Sequence, residues 1–280
     1  QSRMAEDGVR RPEGTVQTYM ESVHHQFVST MAILESLATH SQAMYRDYWD
    51  GRKYNVSAKS KFADKSYVIL ANDNHGRMAA LVERLDAQGI EMFTNDAPLK
   101  VARATTQLGS EERGFTIPEG SLIIPNRQPD APLVAAILEF DAEVRKSVLV
   151  EERQRTLRDG SSLMYDTTAW NFSMMYGLPA VTVLEHLNQG LQPWRSAAPT
   201  IDVTAEAIAW SVSGEDDRSV AFAARLMESG VQVRIIDKAT ELSGNSLSRG
   251  SVFVTAMDNP KLDNLTDLIT CLLYTSDAAD

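Results

Sequence analysis

The chain has 280 residues, a formal net charge of −11 at pH 7 and a hydrophobic share of 43%. That balance suits a globular chain with a buried core. It argues against nucleic acid as a partner, which would need a clustered basic face. No run approaches the ~18 consecutive apolar residues of a membrane helix, and a single cysteine, Cys271, offers neither a disulfide framework nor a cysteine metal site.

Residues 1–14 carry Gly8, Pro12 and Gly14 among charges and read as a loop. From Thr15 to Trp49 the pattern turns helical. Val23, Phe27, Met31, Leu34 and Ala38 recur at steps of three or four, which places them on one face of a long amphipathic helix. Asp50-Gly51 is the first break, and the polar stretch from Arg52 to Lys65 reads as a linker.

Two series of elements follow in the same order. In the first, Tyr67-Val68-Ile69-Leu70 is a buried strand, a helix spans about His75 to Gln88, Gly89 stops it, and Ile90 to Phe93 is a second strand. Pro118-Glu119-Gly120-Ser121 then turns into the strand Leu122-Ile123-Ile124, with a helix from Pro132 to Phe140. In the second series, Ile208 to Val212 is the strand and Ser219 to Ser229 the helix; Gly230 is the stop and Val231 to Arg234 the next strand. Arg249-Gly250-Ser251 leads into Val252-Phe253-Val254, and a helix spans Pro260 to Ile269. Order, type and stop signals agree, which predicts a duplicated unit.

Strand–helix–strand units joined by short loops predict an α/β fold with a mainly parallel sheet, and short continuous apolar strands fit burial on both faces. Between the series, Val101 to Gly114 reads as a long loop, about Asp141 to Arg158 as a charged helix, and Met164 to Tyr176 as an aromatic-rich segment.

Candidate chemistry is sparse. His24-His25 is the obvious metal pair, but ligands on one helix must stand a turn apart. No His-x-x-Glu completes a site at His40, His75 or His186. Asp73 and His75 follow a strand end, where open sheets place ligands, and Asp216 and Asp217 hold the matching place in the second series. Capping of the next helix explains these carboxylates without any ligand. Tyr165, Asp166, Trp170, Asn171, Phe172 and Tyr176 suit a sugar or peptide groove, or simply packing. Gly244-Asn245 reads as a hairpin turn, and Ser161-Ser162 has no base spaced to activate it.

Residues 271–280 resemble one reading frame of a transposon adapter used to fragment DNA and are set aside, so the chain is expected to be a piece of a longer protein. A second resemblance covers most of the remainder. Gln1-Ser2-Arg3-Met4, Asp7-Gly8-Val9-Arg10-Arg11-Pro12-Glu13-Gly14-Thr15-Val16 and Glu21-Ser22-Val23-His24-His25-Gln26-Phe27 resemble a region of large bacterial zinc carboxypeptidase-like proteins of the carboxypeptidase A-like metallopeptidase family. It continues through Arg46-Asp47-Tyr48-Trp49, Ile124-Pro125-Asn126-Arg127-Gln128-Pro129 and Met164-Tyr165-Asp166-Thr167-Thr168-Ala169-Trp170-Asn171.

In that family a late strand carries the general-base glutamate, and a loop and a closing helix follow. The resemblance therefore implies that Gln1, Ser2 and Arg3 flank the general base, that the parent binds zinc and a peptide substrate, and that it is secreted or periplasmic. The family's zinc ligands lie upstream of this chain, which carries no catalytic, cofactor-binding or metal residue of its own and is expected to be inactive alone. The accessory region of such proteins resembles class I glutamine amidotransferases, a three-layer α/β type, but their nucleophilic cysteine has no counterpart here.

The expected organisation is residues 1–50 as the last loop and closing helix of a peptidase domain, 51–65 as linker, and 66–270 as an α/β accessory domain. Its two related units cover about 66–140 and 205–270. A non-catalytic module binding a peptide or glycan is the alternative.

Overall fold

The structure, a computed structural model, describes residues 8–11, 13–141, 144–164, 171–195, 207–242 and 244–275. It contains both helices and sheets, 38% and 20% of the chain.

β1 (Val9–Arg10) and β2 (Val16–Gln17) form a small antiparallel pair that feeds α1 (Tyr19–Asn55). A reciprocal cap fixes the start of α1. The Thr18 hydroxyl accepts from the Glu21 N–H, and the Glu21 carboxylate accepts from the Thr18 N–H. The helix does not stop at Asp50-Gly51 as expected. One interior glycine costs a helix only ~1 kcal/mol, and the last turn is anchored beyond it. Arg52 pairs with Asp130 at 2.7 Å, and Asn55 Nδ2 donates to the Pro129 carbonyl at 2.8 Å. The expected linker at 51–65 is thus a helix end followed by turns, with Ser60 and Ala63 buried.

The larger sheet draws on β3 (Ser66–Ile69), β4 (Phe93–Asn95), β6 (Arg103–Thr106), β7 (Glu111–Arg113), β9 (Leu122–Pro125), β10 (Ala180–Val183) and β11 (Leu191–Pro193). Its order is β11-β4-β9-β3-β10-β6-β7, and β5 (Leu99–Lys100) pairs separately with β8 (Thr116–Ile117). The helices interspersed with these strands are α2 (His75–Asp86), α3 (Ala131–Leu138), α4 (Lys146–Asp159) and α5 (Phe172–Met175). The expected loop at 101–114 is the β6–β7 hairpin, and β10, absent from the sequence reading, sits centrally between β3 and β6.

The smaller sheet has the order β12-β16-β13, from β12 (Ala209–Val212), β13 (Arg234–Ile235) and β16 (Val252–Thr255). β14 (Thr240–Leu242) and β15 (Asn245–Leu247) form a hairpin in which Asn245 opens the second strand rather than lying in the turn. α6 (Arg218–Glu228) and α7 (Leu265–Thr275) pack beside it; α7 starts later and runs further than the expected 260–269.

The mainly parallel sheet is a correction. Every described ladder is antiparallel. β3 and β4 do run the same way, as a strand–helix–strand unit requires. But β9 lies between them, antiparallel to both, in a split βαβ arrangement. Burial on both faces made the strands look parallel: Tyr67 and Ile69 enter one apolar cluster and Val68 the other. Continuous apolar character reports coverage and carries no information on direction.

The two split units match in detail. Phe93 pairs with Ile123 as Arg234 pairs with Phe253. The Ser121 hydroxyl accepts from the Ala71 N–H as Ser251 accepts from Gly214, both at 3.1 Å. Gln128 accepts from the Glu91 N–H at 2.8 Å and donates to the carbonyls of Glu91 and Pro125. Asn259 makes the same three bonds to Gln232 and Thr255, accepting at 2.7 Å. Met78, Leu81 and Leu85 are the buried residues of α2, and Ser219, Phe222 and Leu226 those of α6 at the same spacing.

Candidate functional site

The loops after β3 and β12, where the sequence reading placed Asp73, His75, Asp216 and Asp217, come together. Arg77 Nε and Nη2 donate to the two Asp217 oxygens at 2.6 and 3.2 Å, and Asn74 Nδ2 adds a bond at 3.2 Å. The Gly76 N–H donates to Asp216 Oδ1 at 3.2 Å. Asp216 also pairs with Arg218 at 2.9 Å. The approach at Gly76 is close: a Cβ there would stand 2.9 Å from both Arg218 Cγ and Asp216 Oδ1, so one of those side chains would have to shift.

The charges follow this geometry. The Arg77 hydrogen bond, then Asn74, hold the Asp217 carboxyl below its usual range. Burial alone would raise Asp216, but bonds from the Arg218 side chain and from the Arg218 and Gly76 N–H groups outweigh it, so it too lies low. Glu215 is pushed up by a hydrogen bond and by charge from the neighbouring Asp73 carboxyl. Capping is only part of the explanation. Asn74, not Asp73, caps α2 by accepting from the Arg77 N–H, and Asp216 takes the Arg218 N–H at the start of α6. His75 is exposed beside them.

A second polar group went unread in the sequence. Lys65 Nζ pairs with Glu139 Oε2, which also accepts from the Tyr67 hydroxyl at 3.2 Å. Burial, then the Glu139 charge, push the Tyr67 phenol far up, so it stays a proton donor. A lone lysine before a buried strand gives no signal of this. Nearby in the sequence, Asn126 is fully buried with neither amide atom hydrogen-bonded.

Of the aromatic group, Tyr165, Asp166 and Trp170 lie outside the described residues. Asn171 is buried, accepts from the Met174 N–H and donates to the Glu139 carbonyl. Phe172 and Tyr176 pack on the core beside Leu178. These three serve packing. Ser161 and Ser162 donate to Asp159 and Glu152 at the end of α4, where the Ser161 bonds lower Asp159 to about 2. That is a helix-end network without a general base.

The zinc implied by the family resemblance has no fitting donor set here. Among the described residues, no three His, Cys, Asp or Glu side chains are grouped to hold a metal ion. His24 and His25 have ring centroids 6.3 Å apart, tilted at 49°. Gln1, Ser2 and Arg3 lie outside the described residues. No described helix is long and apolar enough to cross a membrane.

Two surfaces remain open. An apolar groove of about 330 Å³ lies beside the β6–β7 hairpin, lined by Leu70, Thr106, Leu108, Phe115, Pro179 and Val181. The larger surface is α1. Phe27, Met31, Leu34, Leu37, Met44 and Tyr48 are all exposed, and Ser22 and Asn55 are its buried residues. Compared with family models, curated proteins and solved structures, the chain matches none.

Proposed function

We propose that the chain belongs to a zinc carboxypeptidase-like hydrolase, lying after the general base, with α1 as the helix that closes the peptidase sheet. One observation supports this reading beyond the resemblance: the width of the uncovered face of α1. Written as heptads from Met20, the large apolar residues concentrate at three positions of seven: Met20, Phe27, Leu34 and Tyr48; Val23, Leu37 and Met44; and Met31, Ala38 and Tyr45. Ile33 falls at one flank of this stripe and Val28 and Trp49 at the other. His25, Ser29, Ser36 and Arg46 lie on the opposite side.

A two-stranded coil needs the narrow seam of two positions in seven, flanked by charges. A face three positions wide suits a broad partner such as a sheet. Burying one such side chain contributes about 1.5–3 kcal/mol, so a covered α1 would be strongly held. An exposed apolar surface this large marks an interaction site.

On this reading residues beyond α1 form an accessory α/β region of two related units, a description favoured by the matched bonds of Gln128 and Asn259. On the same reading the zinc ligands and the general base belong to the parent, and the chain alone is expected to be inactive. In the parent, zinc would polarise the peptide carbonyl and acidify bound water, with a glutamate as base.

The test is to express the source gene extended upstream of Gln1, alongside the present chain. The longer product is expected to hold about one zinc and release C-terminal residues from peptides, and the present chain to do neither. A longer product without zinc or activity would overturn the proposal. Attention would then pass to a non-catalytic binding module, for which the groove at Leu108 and Phe115 is the observation.

A further inference from the structure

The three apolar clusters of described residues each stay within one unit: two span 67–194 and the third 210–269. Among the described residues, no buried apolar cluster spans both units, and hydrogen bonds and an ion pair cross between them. Arg77 grips Asp217 and also donates to the Tyr176 carbonyl at 3.3 Å, Asn74 binds the same carboxylate, and the Gly76 N–H binds Asp216. The Asp73 and Glu215 carboxyls stand against each other across the seam. The loops in contact are equivalent ones, each following the first strand of its unit and opening its first helix.

We propose that this seam is a latch: the second unit opens and closes against the first, and salt releases it. The observation that carries this is a close-fitting polar seam in which Asp216 is buried but the clamping ion pair, Arg77 with Asp217, faces solvent. The fit is specific, since a Cβ at residue 76 would displace Asp216 or Arg218 and Arg77 holds both oxygens of one carboxylate. The strength is low, since the Arg77 and Asp217 side chains remain 41% and 58% exposed. Exposed pairs of this kind are individually weak and weaken further as salt shortens the Debye length, from about 10 Å at 0.1 M to about 3 Å at 1 M. Polar junctions between separately cored units leave relative motion as the default. A rigid pair of units would be expected to share an apolar cluster across the seam.

The experiment places a fluorescent donor and acceptor on α2 and α6 of the full chain, through Arg84→Cys and Glu228→Cys in a Cys271→Ser background. Energy transfer is followed from low to molar sodium chloride. High transfer at low salt that falls as salt rises is expected. Asp217→Asn should start at the low-transfer value and respond to salt much less. Arg77→Gln combined with Asp217→Asn should lower transfer no further than either alone. Gly76→Ala should match them, and Asp217→Asn decides the case if that variant does not fold, with far-ultraviolet circular dichroism as the check. Transfer that ignores both salt and Asp217→Asn would overturn the latch.

Discussion

Gln128 and Asn259 are the residues on which each unit's geometry turns. Each is a buried amide that binds both backbone groups of one residue just before the second strand and a carbonyl at the end of the third. Gln128→Ala strands the Glu91 N–H and two carbonyls, and a buried polar group left without a partner costs about 1–3 kcal/mol. A loss of that size in the urea unfolding free energy is expected, and an unchanged midpoint and slope would show that solvent replaces the clip. Asn126 is the opposite case, already buried without partners. Asn126→Leu is nearly isosteric and is expected to leave stability unchanged or raise it by about 1 kcal/mol. A loss would mean that a bound water or other group satisfies the amide in solution.

These residues were unequally legible. Ser121 and Ser251 stand in the repeated Gly-Ser signatures and so could be paired from sequence. Gln128 and Asn259 differ in type and in distance from those signatures, three residues after Pro125 and four after Thr255, so no alignment by identity brings them together. The longer glutamine side chain offsets the shorter spacing.

At the scale of elements, α1 was legible because an exposed amphipathic helix keeps its period whether or not its partner is present. Its end was misplaced because Gly51 is a stop signal only where tertiary anchors are absent, and Arg52 and Asn55 supply them. The β6–β7 hairpin escaped because Arg103, Glu111, Glu112 and Arg113 are charged, as befits a sheet edge, where charge deters further pairing. β10 had the composition of a strand, Ala180-Val181-Thr182-Val183 after Pro179, but it falls between the two repeated series, so no counterpart in the other unit marks it. The uncovered face of α1 carries its own prediction. The purified chain should self-associate with rising concentration in sedimentation velocity, and Phe27→Glu with Leu34→Glu should return it to a single species with the same urea transition. A monomer at every concentration would mean that the face is covered in solution by this chain itself.

For the whole molecule, protonation of the seam should move the two units in opposite directions over two pH ranges. A carboxyl whose pKa is depressed in the closed form favours closure above its free value of about 4, and that contribution is lost as the pH falls through the depressed value. Asp217 and Asp216 are of this kind, held low by Arg77 and Arg218 against the burial of Asp216. Glu215 has the reverse sign. Its pKa is raised by Asp73, so the closed form binds its proton more tightly than the open form does. Its ionised state opposes closure at neutral pH, and that opposition is relieved as the pH falls toward about 4.3, the ordinary glutamate value. Energy transfer across the seam should therefore rise on mild acidification and then fall below about pH 4 as Asp217 and Asp216 are neutralised. His75, exposed at the same loop, is replaced by glutamine in the measurement so that its charge does not contribute. Glu215→Gln should remove the rise and keep the fall, and Asp217→Asn should blunt the fall. A monotonic decrease with acid in the parent chain would show that Glu215 and Asp73 do not meet, and the seam would then rest on the arginine clamp alone.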